Sequence, residues 1–551
     1  MRNLKKRILL FAITLCMAFC LSACKNENES VADTPATTTT QTEKITTTEP
    51  TEVTTTEATT TEPTTTTEET TTEATTTETT TEETTEATIT SAPDTVTTTT
   101  EPEPQVPQFV DSYSSLGLDV DAVKSDIEML KGFSDIPVIF VSTKDKKPVV
   151  SLEEYLDCAV DVFNCEDEYL IQGATAGIRV RGNSTAYYGD VNQILDNEVP
   201  YRIKFDEKTS MLGLNDSAEC KSWVLLKANW NLVMDYTAFS MAEKIIENYS
   251  SDSKMVLVFI NSKYKGIYVL CEQNQVNENR VDVFEPEKNY QGTDIGYYLE
   301  LNNYAADDED PYFTVTYEYA NVEDLEGTRR DFVPAEYSIK NDIYSDNQKR
   351  FIEKYVSNVF KIMYYACEKN TYYALDKNMN LVNSDYSNAY DCINAVADID
   401  SIVNMYILYE LVHDNDCGEG SFYMCVDFSK DSNYKKLTFI SPWDFNWAYE
   451  GNPTHKYYAA AFNDMSFVNK YGDRTNPWFV LLNTEDWFVD LVKARWNEIG
   501  ANTILNVLSN IEAELEANRD DFSLTAEWQV GSAMDLLKWV RNRVNWLDSE
   551  W

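Results

Sequence analysis

Between about Asn26 and Pro107 the chain carries almost no large apolar side chain. Thr, Glu, Pro and Ala make up nearly all of it, as in Thr66-Thr67-Glu68-Glu69. Such a segment has too little to bury to offset the entropy of ordering its backbone. Thr is β-branched and no apolar stripe runs along the stretch, which argues against a charged helical stalk. It reads as an extended, self-repelling tether whose threonines are open to O-glycosylation. A packed core must therefore be built from other parts of the chain.

The first residues have a different logic. Lys5, Lys6 and Arg7 precede an almost unbroken apolar run from Ile8 to Leu21, and Leu21-Ser22-Ala23-Cys24 then sets small residues before a cysteine. Charge, apolar run and small-residue cleavage site in this order make a secretory signal. The cysteine directly after the small pair resembles a bacterial lipobox, which implies acylation of Cys24 and a lipid anchor. An ordinary signal peptide with an incidental cysteine is the alternative. The apolar run is short of the roughly twenty residues a spanning helix needs. The reading is a lipoprotein signal peptide at 1–23, a tether at 24–107 and a folded domain at 108–551. The mature protein is expected to be exported and lipid-anchored at the outer face of the cytoplasmic membrane or the cell surface.

The formal net charge is −47, part of it in the tether. The remaining domain is still acidic, which disfavours nucleic acid and anionic lipid as ligands. About 440 residues rich in Tyr, Trp, Phe, Ile and Val follow Val110, enough for a sizeable core in two lobes. Their cysteines show no CxxC spacing, and a domain of this size needs no staples. They read mostly as buried thiols, with one or two disulfides left open.

Two textures follow one another. Short β-type runs occupy Ile136–Thr143, Gly177–Arg181, Tyr201–Phe205, Trp223–Leu226, Lys254–Ile260 and Tyr264–Glu272, interrupted by a helical pattern at Met234–Asn248. Tyr201, Ile203 and Phe205 alternate with cations, as a half-buried strand requires. Asn261-Ser262-Lys263 sits between two runs as a hairpin turn. Helical patterns then cover Gln348–Cys367, Asp400–Val412, Trp487–Ala501, Ile504–Asn518 and Ser532–Leu547. Strands first and helices later predict an α+β domain, with a β-rich lobe at about 130–300 and a helical lobe at about 345–551.

Several familiar sites are excluded. No GxxxxGK loop occurs, and His413 and His455, the two histidines, cannot build an HExxH zinc site. Gly182-Asn183-Ser184-Thr185-Ala186 misses the last glycine of a nucleophile elbow. Asp414-Asn415-Asp416-Cys417-Gly418 begins like a calcium loop but meets Cys425 where a bidentate Glu is required.

What survives is an ordered set of motifs: Gly177-Ile178-Arg179-Val180-Arg181-Gly182-Asn183-Ser184, then Pro200-Tyr201-Arg202-Ile203-Lys204-Phe205, then Trp223-Val224-Leu225-Leu226 with Asn229. Tyr264-Lys265-Gly266-Ile267-Tyr268-Val269-Leu270-Cys271-Glu272, Gly296-Tyr297-Tyr298-Leu299-Glu300, Asp414-Asn415-Asp416 and Pro442-Trp443-Asp444-Phe445-Asn446 complete it. In this order and spacing, from about Ile136 to the C-terminus, the set resembles the CotH family of spore-coat-type atypical protein kinases. The resemblance implies a kinase-like fold that uses ATP and Mg²⁺ and phosphorylates Ser or Thr of a protein substrate.

Phosphoryl transfer needs cations on the phosphates, carboxylates for Mg²⁺, and a carboxylate to orient the attacking hydroxyl. Arg181 and Lys204 are the cationic strand residues for the phosphate chain, against the alternative of a solvated face. Glu272 ends an apolar strand, where a carboxylate is costly unless paired. It is read as the partner that fixes Lys204, with Glu243 as a second candidate and a structural salt bridge as the bland one. By resemblance Asp416 is the catalytic aspartate; otherwise it is an Asp capping a turn. Asp444, framed by aromatics, is read as the Mg²⁺ ligand, against a plain salt bridge. Kinase catalytic loops place a metal-binding Asn five residues after the Asp, where this chain has Ser421. Members of the family usually carry a second acid at the position of Asn446, which offers only a neutral oxygen. Ser421 and Asn446 therefore also fit a catalytically weak or inactive kinase-fold module that binds or scaffolds at the surface. A carbohydrate-active enzyme using Glu272 and Asp444 as its carboxyl pair is the third reading. Tyr187, Tyr188, Trp443, Trp447 and Tyr449 are available to stack on a base or a sugar.

Overall fold

The computed structural model describes residues 110–551, apart from 228–232, 309, 316–321, 324–328, 331–334, 415–416, 455–475 and 526. The leader, Cys24 and the Thr/Glu segment lie outside the described residues, as do Asn229, Asp416 and His455. Among the described residues no helix is long and apolar enough to cross a membrane.

Helix α1 (Val120–Leu130) precedes a closed barrel of seven strands. These are β1 (Val138–Thr143), β2 (Leu156–Phe163), β3 (Ile171–Val180), β4 (Tyr201–Thr209), β5 (Cys220–Leu226), β6 (Ser253–Ile260) and β7 (Lys263–Glu272). The order around the barrel is β1-β2-β3-β4-β5-β7-β6, closed by a parallel β1–β6 pair. Ile139, Val141, Ile178, Ile203, Trp223 and Leu270 fill the interior. Phe140, Val224, Leu257 and Val269 point outward into the larger core shared with the helices. Burial on both faces is why β1 and β6 read as continuous apolar runs, whereas β4 alternates. The β6–β7 hairpin turns on Asn261 and Ser262, whose φ values of 51° and 66° suit the type I′ turn that matches strand twist. Strand β2 had no counterpart among the expected β runs. Asp157 and Asp161 interrupt its apolar pattern, and only tertiary contacts satisfy the second of them.

Helix α2 (Val233–Ile245) crosses from β5 to β6. The chain then enters a second sheet of β8 (Gly296–Leu301), β9 (Tyr312–Val315), β10 (Ala335–Ile339), β11 (Phe422–Asp427) and β12 (Thr438–Phe439), ordered β12-β11-β8-β10-β9. Around it pack α3 (Asp346–Lys369), α4 (Ile399–Val412), α5 (Pro477–Leu482), α6 (Asp486–Ile499), α7 (Ala501–Ala517) and α8 (Glu527–Glu550). The fold is α+β, with a β-rich first part and a helical C-terminal part, as expected. The second lobe nevertheless holds its own antiparallel sheet, whose central pair β8–β11 joins residues 120 or more apart in the chain. The helix expected at Trp487–Ala501 ends at Ile499, because Gly500 at φ 74° breaks it before α7 begins.

Helix α4 is apolar all round because it is buried all round. Its Glu410 meets Arg543 of α8 at 2.6 Å with both side chains inaccessible, and Arg543 also donates to the Glu410 carbonyl at 2.8 Å. Removing one member of such a pair strands a buried charge. Arg543→Met should therefore cost about 3–5 kcal/mol in urea unfolding, and adding Glu410→Gln should restore much of it.

Asp161, also buried, accepts from the Tyr113 hydroxyl at 2.6 Å and the Gly173 N–H at 2.8 Å, while its second oxygen has no partner. Gly173 sits at φ +60°, and a Cβ there would meet the Tyr113 ring at 2.9 Å. Burial pushes the Asp161 carboxyl from 3.8 up to about 6, against the two hydrogen bonds that lower it. The protonated form is thus favoured in the folded state, so this contribution to stability is full below pH 3.8 and is lost as pH rises through about 6. Relative to Asp161→Asn, the wild type should lose about 3 kcal/mol of stability across that window, read from denaturation at stepped pH.

Candidate active site

A cavity of about 870 Å³ opens between the barrel and the second sheet. The barrel contributes Arg181, just past β3, and Lys227, just past β5; α2 contributes Asp235; the second lobe contributes Glu300, Ser421 and Asp444. All but Glu300, which lies within β8, are strand-end, loop or first-turn residues, where side chains can converge without breaking a ladder.

Asp444 sits in the left-handed region at φ 64°. Its neighbours hold it there: Trp443 and Phe445 lie 5.4 and 5.9 Å from the Phe239 ring of α2, and Phe445 lies 5.8 Å from Tyr409 of α4. Ser441, upstream, accepts from the Tyr298 hydroxyl at 3.0 Å, and its carbonyl accepts from Asn274 at 3.2 Å. The Asp444 carboxylate accepts from Ser421 Oγ at 3.3 Å and from the Asn446 amide. Burial raises this carboxyl above the usual range, opposed by the Arg181 charge and the two hydrogen bonds. Arg181 lies over the Trp443 ring at 5.6 Å, so Arg181, Ser421, Asp444 and Asn446 come together at one place.

Lys204 and Glu272 are positioned otherwise. Lys204 is exposed on β4 and lines a separate depression with Lys144 and Lys221, because the strand alternation that buries Ile203 and Phe205 turns it outward. Glu272 is fully buried, but its partner is Arg280 at 3.0 Å rather than Lys204. Arg280 also donates to the Ser222 and Gln273 carbonyls and covers the Trp223 ring, which makes this a structural clasp at the barrel end. Glu243, the other candidate, is paired on the surface with Lys244. The expected Glu272–Asp444 carboxyl pair does not form, since Glu272 does not line the cavity.

Two lysines line the cavity with Arg181: Lys340, which pairs with Glu300 and Asp310 in the second lobe, and Lys227 just past β5. Lys227 is the one from the barrel. It is buried, paired with Glu198 at 2.8 Å, bonded to the Ile267 carbonyl at 3.1 Å, and set over the Tyr268 ring. Burial lowers its pKa, and Glu198 opposes the shift. Gly266, at φ +117°, leaves room for the pair; a Cβ would lie 2.8 Å from Glu198 and 3.0 Å from Lys227. A lysine closing the wholly apolar run Trp223–Leu226 was the sequence signal for this residue.

Asp235 is the second residue that pattern reading passed over. An acid in the first turn of a helix is ordinary, yet this one is buried, and its Oδ1 accepts from the Phe445 N–H at 3.1 Å. Burial, with Asp444 next in order, pushes its carboxyl up to about 7. Deeper in the second lobe, Glu300 accepts from the Tyr423 hydroxyl at 3.0 Å and from Lys340 at 3.1 Å. Of the aromatics, Tyr188 and Trp447 are exposed on the cavity wall. Trp443 and Tyr449 are buried, the latter donating to the Met234 carbonyl at 3.0 Å, and Tyr187 packs on the barrel core.

A family model described as CotH kinase protein matches residues 178–547, two-thirds of the chain, and the chain belongs to that family. No curated protein matches it. Kinases as a class use ATP and a divalent cation. Among the described residues no group of three or more His, Cys, Asp or Glu is placed to hold a metal ion. A side chain that contacts the nucleotide phosphates through a charge-assisted hydrogen bond is worth about 1.5–3 kcal/mol. Lys227→Ala should therefore weaken ATP binding by at least about tenfold in calorimetric titration, whereas Lys204→Ala should leave it unchanged.

Proposed function

We propose that the protein is an extracytoplasmic CotH-type kinase, lipid-anchored at Cys24, that transfers the γ-phosphate of ATP to Ser or Thr of a surface or secreted protein. The observation that carries the reading is the cavity in which a half-buried carboxylate, Asp444, lies within electrostatic reach of Arg181 and which Lys227 also lines, inside a chain of the kinase family. Arg181 and Lys227 supply positive charge for a phosphate chain. Asp444, with the Asn446 and Ser421 oxygens, would hold Mg²⁺, which when bound neutralises charge developing on the transferred phosphoryl group. Asp416 remains the candidate for orienting the substrate hydroxyl. It follows buried Asp414 by two residues and precedes Ser421 of the cavity by five. Tyr188, Tyr304 and Trp447 are exposed aromatics on the cavity wall, where a base could stack. The leader, the lipobox-like cysteine and the tether support the surface location, where the protein substrate would be within the tether's reach.

The test is calorimetric titration of the full chain with ATP, with and without Mg²⁺. Tight binding that needs Mg²⁺ and disappears in Asp444→Ala is the expected result, followed by phosphate transfer to protein that is lost in Asp416→Ala. Mg²⁺-dependent binding without transfer would indicate the inactive binding module that Ser421 and Asn446 also fit. No binding under either condition would remove the kinase reading.

A further inference from the structure

Asp235 and Asp444 both line the cavity, and among the described residues neither makes an ion pair. Asp235 is 7% exposed and lines the cavity from the first turn of α2. Its Oδ1 is held by the Phe445 N–H, and its Oδ2 has no hydrogen bond among the described residues. The donors on Asp444 are neutral, the Ser421 hydroxyl and the Asn446 amide. Arg181 acts on both acids through space, but its guanidinium lies over Trp443 and makes no ion pair with either among the described residues. Carboxylates withdrawn from water are costly without a contact cation, and among the described residues these two have none.

We propose that Asp235 is the second carboxylate of a divalent-cation site, so that Mg²⁺ or Mn²⁺ is held between Asp235 and Asp444. This rests on the kinase reading and deepens it, because Asp235 supplies from the first lobe the negative charge that Asn446 does not. The Phe445 N–H fixes one oxygen of Asp235 and leaves the other for the ion, in the way outer partners orient metal-binding carboxylates. A cation so placed ties α2 to the Pro442–Asn446 loop, and its binding stabilises the junction of the lobes.

The probe is Mn²⁺ added to the full chain, followed by electron paramagnetic resonance of the free ion and by thermal unfolding. Asp235→Asn keeps the acceptor for the Phe445 N–H and removes only charge. It should weaken Mn²⁺ binding by at least about tenfold and abolish the Mn²⁺-dependent rise in Tm, with the metal-free Tm unchanged or higher. Wild-type affinity in Asp235→Asn, together with loss in Asp444→Asn, would overturn the role of Asp235 and leave the kinase reading standing. No Mn²⁺ binding by the wild type while ATP still binds would overturn the site alone; absence of both would remove both. An independent check needs no variant. Fe²⁺ substituted for Mn²⁺, with ascorbate and peroxide, should cleave the chain both near Asp235 and near Asp444, and cleavage confined to the second segment would overturn the proposal.

Discussion

Helix α2 and the Pro442–Asn446 loop meet through one hydrogen bond, from the Phe445 N–H to Asp235, set inside a cluster of Phe239, Trp443, Phe445 and Tyr409. The aromatic packing excludes water from that bond and gives it its electrostatic strength. The same packing surrounds Asp444, whose left-handed backbone at φ 64° is one that Asp tolerates better than most side chains. The rest of the cavity is built outward from this contact. Arg181 lies on Trp443, Ser421 and Asn446 donate to Asp444, and both acids line the cavity.

The barrel serves as the rigid side of this arrangement. Closure leaves no free edge between β1 and β7, and the interior packing of Trp223, Tyr268 and their neighbours fixes where β3 and β5 end. Those ends are where Arg181 and Lys227 stand. Glu272 and Arg280 lie farther back along the ladder, beside Trp223 and Ser222 near the start of β5, in a buried pair that touches neither. A buried ion pair of this kind is a matter of structure, and its presence explains why a carboxylate ends an apolar strand without any role in the cavity.

Much of the architecture was legible from side-chain periodicity. Six barrel strands, the helix after β5 and the later helices lie close to where alternation and helical spacing put them, because each has a face or a whole surface that must be buried. Strand β2 and the second sheet were not legible. Asp161 disguises one, and the other depends on pairings between β8, β10 and β11 that no local pattern specifies. Among the candidate site residues, Arg181, Ser421, Asp444 and Asn446 were found as motif residues and meet in space. Lys204 and Glu272 came from equally good motifs and lie elsewhere, while Lys227 and Asp235 stood beside the motifs without belonging to them.

The sequence alone determined the α+β class and the presence of a cationic strand end and an acid framed by aromatics. Composition and period suffice there, since burying apolar surface is a local requirement. That Lys227 and Asp235 line the cavity with Asp444, while Lys204 and Glu272 do not, was decided only by the tertiary structure. A charged side chain on a strand or helix has the same local pattern whether it points to solvent, to a buried partner or into a cavity, and the difference is made by elements distant in the chain. Lys204 and Lys227, one exposed and one buried on adjacent strands, differ for that reason.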